Sequence, residues 1–304
     1  MIVRKRLPWL KMLFVWRGSI LRTVMLQLVV VIMMAGVVTL FYSHGGWRPG
    51  LSAQPFSLLG IALAIFLGFR NNASYERFWE ARKMWGVLLI EARTLTRQIC
   101  TLTTGDEKER RRLGYLVIAF VHALRHQLRD TDPSKSLTPL IEDEVWRRRV
   151  LAARFKPVIV LVAIGEGLSD LRRAGRLEPI LANAMEPTLS ALSNVLGACE
   201  RIANTPIPFT YSVIIHRVIY LFVLLLPFGL VEAVGAWTPV VVGFTAYMFL
   251  TLEALSDEIE EPFGLMPNDL PLDGMAAGIE ASVRETLGEA PLPAPLKPVD
   301  YMLT

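Results

Sequence analysis

The chain has 304 residues, of which 53% are hydrophobic and 20% are charged, and its formal net charge is +4. Its mean hydropathy of +0.41 is above that expected for a soluble domain of this length, and the charged residues lie between a few long apolar runs. This composition argues against one large soluble core and predicts an all-helical integral membrane protein.

The first apolar run, Thr23–Tyr42, follows a basic N-terminus with six cationic residues: Arg4, Lys5, Arg6, Lys11, Arg17 and Arg22. The positive-inside rule explains this cluster more simply than nucleic-acid binding does. The run is longer than the roughly 7–15 residues of a signal-peptide core, and no small-residue cleavage pattern follows it. We therefore expect a retained transmembrane helix, with Tyr42 and Trp47 in an interfacial aromatic belt.

The second apolar run, Leu51–Phe69, continues without a proline into the charged and aromatic segment Ala73–Cys100. This pattern predicts one long helix that leaves the membrane and extends into the cytoplasm. Arg70, Asn71 and Asn72 lie at the junction, where they would either wet the exit of a pore or be ordinary interface residues.

Residues 101–205 are expected to form a soluble helical insert. Asp106–Arg129 has an amphipathic pattern, and Ile141–Arg154 is basic. Pro157–Gly167 is apolar but too short to cross a membrane, so we expect a buried helix there. Leu177–Ala203 is a further amphipathic helix, interrupted or kinked at Pro187.

Two more apolar runs, Phe209–Val231 and Pro239–Leu252, return the chain to the membrane, and the second continues into a charged helix over 253–261. The proline-rich tail, 265–304, is expected to be extended. Basic residues flank the inner ends of the four runs, so both termini should be cytoplasmic. The predicted segments are 1–22 (cytoplasmic basic N-terminus), 23–72 (transmembrane helices one and two), 73–205 (cytoplasmic helices), 206–255 (transmembrane helices three and four) and 256–304 (cytoplasmic helix end and tail).

Residues with catalytic or metal-binding potential are few. The sequence has no GxxxxGK[ST], GxGxxG, HExxH or GxSxG motif, and Cys100 and Cys199 belong to no CxxC pair. His122 and His126 are four residues apart and could share a metal ion, but no third or fourth ligand is evident nearby. Two histidines on a polar helix face are the simpler interpretation, and we expect no enzyme.

Ionisable residues are also scarce within the apolar runs, where His216, Arg217 and Glu232 are the main examples. Proton-coupled transporters usually carry relays of such groups and inverted repeats of broken helices, and neither is visible in this sequence. This scarcity disfavours a transporter.

Three apolar residues, Ile61, Ile65 and Phe69, are spaced at i, i+4 and i+8, so they share one face of the second apolar helix. Arranged around a symmetry axis, they would form rings that gate ion flow by dewetting. The spacing alone is weak support, because any membrane helix has apolar residues at this interval.

The segment Gly68–Arg82, which reads GFRNNASYERFWEAR, resembles the most recognisable segment of the prokaryotic bestrophins. Three further segments resemble that family in order and spacing: Glu178–Leu181 (EPIL), Ile207–Tyr211 (IPFTY), and Glu261–Gly264 (EPFG) followed by Asn268 and Asp269. The resemblance covers nearly the whole chain except about the last thirty residues.

The resemblance implies a homopentamer with one central pore and four membrane helices per subunit. It also implies that Ile61, Ile65 and Phe69 line a hydrophobic neck, and that Ile180 forms a second constriction at the cytoplasmic end. The alternative for Ile180 is an ordinary core position of the helix over 177–203.

Animal members of this family carry an acidic run after Pro-Phe-Gly that helps to bind activating calcium. This chain has Leu265-Met266-Pro267-Asn268-Asp269 there, so Asp269 is the main matching carboxylate, with Glu258 and Glu261 before the motif. Because Ca²⁺ takes six to eight oxygen ligands, calcium gating does not follow from the resemblance. We expect no cofactor, with calcium or another divalent metal as the alternative.

The sequence therefore predicts a passive channel for small monovalent ions in the bacterial inner membrane, with its own copies and membrane lipid as partners. The prokaryotic branch of the family favours Na⁺ and K⁺, although a neck of Ile and Phe has no charge to set the preference. The alternatives are a chloride channel of the same architecture, a non-conducting membrane scaffold, and a membrane enzyme that depends on His122 and His126.

Overall fold

A computed structural model of the chain describes residues 1–3, 8–16, 18–46 and 48–304. The basic residues Arg4, Lys5, Arg6 and Arg17 and the expected belt residue Trp47 lie outside these ranges. The described residues are largely helical, and their only β-type pairings are the isolated bridges that join Ile2 and Val299 to Met302. Eleven α-helices occur in this part of the chain.

The helices in chain order are α1 (Trp9–Leu13), α2 (Leu21–Gly45), α3 (Ala53–Leu102), α4 (Glu107–Leu128), α5 (Ser134–Leu137), α6 (Glu144–Ala152), α7 (Lys156–Arg173), α8 (Pro179–Asn204), α9 (Phe209–Val234), α10 (Thr238–Glu260) and α11 (Leu272–Thr286). A 3₁₀ turn, Gly235–Trp237, joins α9 to α10.

The chain divides into two compact units, and α3 contributes residues to both. The first, here called the cytoplasmic unit after its predicted location, contains 1–3, 79–205 and 262–304. The second, here called the membrane unit, contains 4–78 and 206–261.

The membrane unit holds α2, α9, α10 and the apolar first half of α3. Three stretches of the described chain are long and apolar enough to cross a membrane: Leu21–Gly45, Ala53–Leu102 and Phe209–Glu260. The third stretch contains both α9 and α10, since the 3₁₀ turn between them is only three residues long. Side chains from α2, α3, α9 and α10 form the apolar core of the membrane unit, including Ala35, Leu67, Ile219 and Ala246.

The predicted long second helix is confirmed, because α3 runs without a break for 50 residues. Pro187 and Pro227 lie inside α8 and α9 rather than ending them. A proline removes one backbone donor from a helix interior, yet neither residue divides its helix in two.

The cytoplasmic unit is built around α4. Asp106 caps this helix in a capping box: Glu109 N–H donates to Asp106 Oδ1 at 2.8 Å, and Asp106 N–H donates to Glu109 Oε2 at 3.3 Å. The predicted one-sided amphipathic pattern is wrong for its middle, because every residue from 113 to 124 is buried. Helices α5, α7, α8 and α11 pack on α4.

The expectation of an extended tail is wrong over 272–286, which forms α11. Leu272, Ala276, Ile279 and Val283 are buried along one face of this helix, which packs on α4. Their spacing follows the helical repeat, and the six prolines of the tail lie outside the helix, two before it at 267 and 271 and four after it over 291–298. The helix is stable because this stripe is buried, although the segment around it is rich in proline.

Two other boundaries differ from expectation. The buried helix expected over Pro157–Gly167 extends to Arg173 as α7, because Leu168 and Leu171 add a further buried turn. The basic helix expected over Ile141–Arg154 is shorter, since Asp143 caps α6 by accepting hydrogen bonds from the backbone of Val145 and Trp146.

Candidate functional site

The three predicted neck residues lie on a solvent-accessible face of α3 in the membrane unit. Ile61, Ile65 and Phe69 are 62%, 53% and 66% exposed within the single chain. Asn72 and Glu76 continue the same face by helical spacing, and Asn72 Nδ2 donates to Glu76 Oε1 at 3.0 Å. An apolar row followed by a polar pair therefore runs along this side of the helix.

The opposite face of α3 is packed into the membrane unit. Leu63 and Leu67 are buried in its apolar core, and Arg70 and Ser74 continue the buried row. The three residues Ile61, Ile65 and Phe69, here called the neck row, take no part in this core. Packing of the buried row fixes the rotation of α3 about its axis, and this rotation leaves the neck row exposed.

Arg70 is a buried cation at the contact between α3 and α10, so the structure favours the second of its two alternatives, an interface residue rather than one that wets a pore exit. Only 2% of it is exposed, and its guanidinium pairs with Asp257 and, at 3.5 Å, with Glu260 of α10. Burial without partners would be costly for an arginine, which explains why two carboxylates face it. The partly buried Asn71 bonds to its own helix, donating to the Leu67 carbonyl at 3.0 Å.

Further polar contacts join α3 to α10 beside this ion pair. Ser74 Oγ and Ser256 Oγ are 2.9 Å apart, and Arg77 Nε donates to the Glu260 carbonyl at 3.1 Å. The Glu260 carboxylate also accepts from the Ile207 backbone N–H at 3.1 Å. These bonds hold the segment just after the neck row against α10, so they fix the rotation of the neck row about the α3 axis.

A second polar pair lies between α9 and α10. His216 Nδ1 is 2.7 Å from Glu253 Oε1, and the Tyr220 ring stacks on the imidazole with centroids 4.4 Å apart. Glu253 is only 4% exposed. The expectation placed this carboxylate in a charged helix beyond the span, whereas the structure buries it in the helix bundle.

The predicted aperture residue, Ile180, lies in the first turn of α8 in the cytoplasmic unit. It is 74% exposed, so it is not a core position of α8 within the chain. Pro179 precedes it at the helix start, a position where the missing backbone donor of proline costs nothing.

The carboxylates proposed as metal ligands do not form a metal cluster. Asp269 is buried, and its Oδ2 accepts from the Met266 backbone N–H at 2.6 Å, which closes the loop before α11. Glu258 is buried in the membrane unit, and Glu261 is exposed. Across the described ranges, no group of three or more His, Cys, Asp or Glu side chains could hold a metal ion. These carboxylates therefore do not bring together the six to eight oxygen ligands that Ca²⁺ takes.

His122 and His126 bond to separate partners in the cytoplasmic unit, and His122 is buried rather than on a polar face. Its Nε2 is 2.8 Å from Glu280 Oε2 of α11. His126 Nδ1 is 2.7 Å from Thr131 Oγ1, and its Nε2 is 2.9 Å from Ser136 Oγ. Each histidine therefore stabilises local packing.

Burial and the neighbouring Arg125 lower the pKa of His126 to about 4. The hydrogen bond from His122, together with Arg284, holds the pKa of the Glu280 carboxyl below its ordinary value. Through Glu280, His122 therefore links α4 to α11, whereas His126 bonds to Thr131 after the end of α4 and to Ser136 of α5.

Sequence reasoning missed the Arg70 and Glu253 pairs, although one signal was present. Glu253, Asp257 and Glu260 are spaced at i, i+4 and i+7, so they share one face of α10. Three carboxylates in a row on a helix that continues an apolar span indicate cationic partners on the neighbouring helices.

A family described as Bacterial/Fungal Bestrophin protein matches residues 1–285 of the chain. The voltage-dependent anion channel-forming protein of Ralstonia nicotianae is 46% identical over 297 residues, which cover 96% of each chain. The voltage-dependent anion channel-forming protein YneE of Escherichia coli K12 is 42% identical over 100% of both chains.

Solved structures agree with these matches. The crystal structure of a bacterial bestrophin homologue from Klebsiella pneumoniae superimposes with a TM-score of 0.83 at 41% identity, covering 88% of this chain and 100% of that chain.

Proposed function

The chain belongs to the bacterial and fungal bestrophin family, and we propose that it is the subunit of a passive ion channel with a hydrophobic neck. It is a membrane protein, and the names of its relatives support an ion channel rather than an enzyme. The observation that supports the neck is the exposed row Ile61, Ile65 and Phe69. The opposite face of α3 is packed, and it is joined to α10 by the Arg70 ion pair.

In the proposed assembly, five copies surround one pore in the bacterial inner membrane, with four membrane helices per subunit and both termini in the cytoplasm. The membrane helices are α2, the first half of α3, α9 and α10. Copies of the neck row would meet around the axis and form rings that offer a permeating ion no replacement for its water shell. Ile180 would form the aperture on the cytoplasmic side.

The names of the relatives favour anions as the permeating species and give no support to the preference for Na⁺ and K⁺ expected from the prokaryotic branch. The neck itself contains no charged side chain that would select either sign. We therefore take small monovalent anions such as chloride as the leading proposal and Na⁺ and K⁺ as the alternative.

The test is the reversal potential of the purified full-length protein in a planar bilayer under a KCl gradient. A reversal near the chloride equilibrium potential supports the anion channel, and one near the potassium potential supports the cation alternative. Absence of current in both directions would contradict the channel and favour a scaffold. Native mass spectrometry of the same preparation should give five times the 34.1 kDa subunit mass.

A further inference from the structure

A groove of about 230 Å³ lies between α3 and α11 in the cytoplasmic unit. Arg82 and Arg93 line it from α3, and Gly86 and Gly278 contribute to its walls. Among the described residues that line the groove, none is acidic. The groove therefore has two cationic side chains and no carboxylate to balance them.

Neither arginine has a compensating charge in its own helix. The positions three and four residues from Arg82 and from Arg93 carry no carboxylate, so α3 supplies no ion pair to either. Within the ranges that the structure describes, neither guanidinium forms a salt bridge, although Glu80 on the same helix pairs with Arg201. Arg82 Nη1 lies 3.7 Å from the point where a Cβ on Gly86 would be, so this guanidinium covers the glycine.

Trp85 supplies a second, independent feature of the same groove. Only 1% of this side chain is exposed, and in the described part of the chain its buried indole Nε1 has no hydrogen-bond acceptor. A buried donor without an acceptor destabilises the fold unless a bound water, ion or ligand provides one. Trp85 is one of the residues that line the groove, and it lies between the two arginines in sequence.

We propose that this groove binds a small oxyanion that carries at least two negative charges. Guanidinium groups bind phosphate and carboxylate oxygens through charge-assisted, often bidentate hydrogen bonds, and the indole N–H prefers the same acceptors. Gly278 has open space where a side chain would be, which leaves room for the ligand against α11. A phosphate compound and a polycarboxylate share this chemistry.

The experiment is isothermal titration of the purified full-length protein with two probes, inorganic pyrophosphate and citrate, in KCl adjusted to constant ionic strength. Binding of either probe should weaken at least tenfold in Arg82→Gln, in Arg93→Gln and in Trp85→Phe, which keeps an aromatic ring but removes the indole N–H. Arg97→Gln is the matched control, because Arg97 is an exposed arginine of α3 outside the groove.

Gly278→Leu tests the groove without changing its charge. The leucine side chain enters open space on a helix, so folding is retained while the ligand is excluded. Binding of pyrophosphate alone identifies a phosphate compound, and binding of citrate alone identifies a carboxylate. Absence of heat with both probes, or equal affinity in Gly278→Leu and wild type, would overturn the proposal. Binding is measured without ion flux, so the outcome is independent of the channel assignment.

Discussion

Ile65 is the middle residue of the exposed row on α3, and we expect Ile65→Ala to raise single-channel conductance. A shorter apolar side chain widens the proposed ring and lowers the cost of wetting it. The measurement is conductance in a planar bilayer, compared between wild type and variant under the same KCl solutions. The control is Leu59→Ala, because Leu59 is similarly exposed but projects from a different face of α3.

An equal rise in both variants would show that any loss of apolar volume loosens the assembly. Unchanged conductance in Ile65→Ala would remove this residue from the gate. The proposed neck would then have to rest on Ile61 and Phe69.

His126 makes the stability of the cytoplasmic unit depend on pH. Its pKa falls from 6.5 to about 4 because the imidazole is buried beside Arg125, with His122 adding to the effect and Asp273 and Asp132 opposing it. Between these two values the unfolded chain binds a proton that the folded chain does not. Stability is therefore complete above about pH 6.5 and decreases as the pH falls toward 4.

We expect His126→Gln to flatten this pH dependence. Glutamine keeps a donor and an acceptor for Thr131 and Ser136 but does not titrate. The measurement is the free energy of unfolding in urea at several pH values from 7 down to 4 for both proteins. Parallel profiles would assign the loss of stability to other groups, such as Glu280 and Asp273, whose pKa values the fold also lowers.

At the residue scale, the sequence allowed prediction of positions that depend on spacing within one helix. The row Ile61, Ile65 and Phe69 follows from the helical repeat, and the structure leaves all three exposed. The pair formed by Arg70 and Asp257 could not be predicted, since it joins residues 187 positions apart. Such pairs depend on helix rotation and packing, which local spacing does not determine.

Helices α3 and α9 approach each other closely at Gly229. A Cβ at this position would lie 2.2 Å from two ring carbons of Phe56, whose ring also packs on Phe222. Because aromatic rings in a packed core can move only by displacing their neighbours, a methyl group here would force the two helices apart.

We expect Gly229→Ala to destabilise the membrane unit by about 1–3 kcal/mol, the usual cost of overpacking a core. Unfolding of the detergent-solubilised protein by SDS titration measures this change. Gly36→Ala in α2 is the control, since nothing lies within 4 Å of its Cβ position. Equal stability of wild type and Gly229→Ala would mean that the Phe56 ring can turn aside at no cost.

At the element scale, the long apolar helices were predictable because length and hydropathy are local properties. The helix α11 was missed because its neighbouring segments are rich in proline and glycine. Its buried stripe, Leu272, Ala276, Ile279 and Val283, is visible in the sequence only when the tail is examined at the helical repeat.

At the scale of the whole molecule, the single chain leaves a large apolar surface exposed. Leu26, Phe66, Leu221 and Phe244 are each more than half exposed in the membrane unit. A soluble monomer rarely exposes so many large apolar side chains in contiguous patches, whereas contact with lipid or with other copies covers them. Hydropathy predicted this surface but not its division, because lipid tails and the apolar side chains of a neighbouring copy are equally apolar.

The unbroken course of α3 has a further consequence for how chain length can vary among relatives. A helix of 50 residues is about 75 Å long, and each residue turns it by about 100°. One residue inserted between Phe69 and Arg70 would rotate the neck row by about 100° about the helix axis, relative to the ion pair of Arg70 with Asp257. Insertions and deletions should therefore be found in the loops over 103–106 and 129–133, where added residues change no helical register.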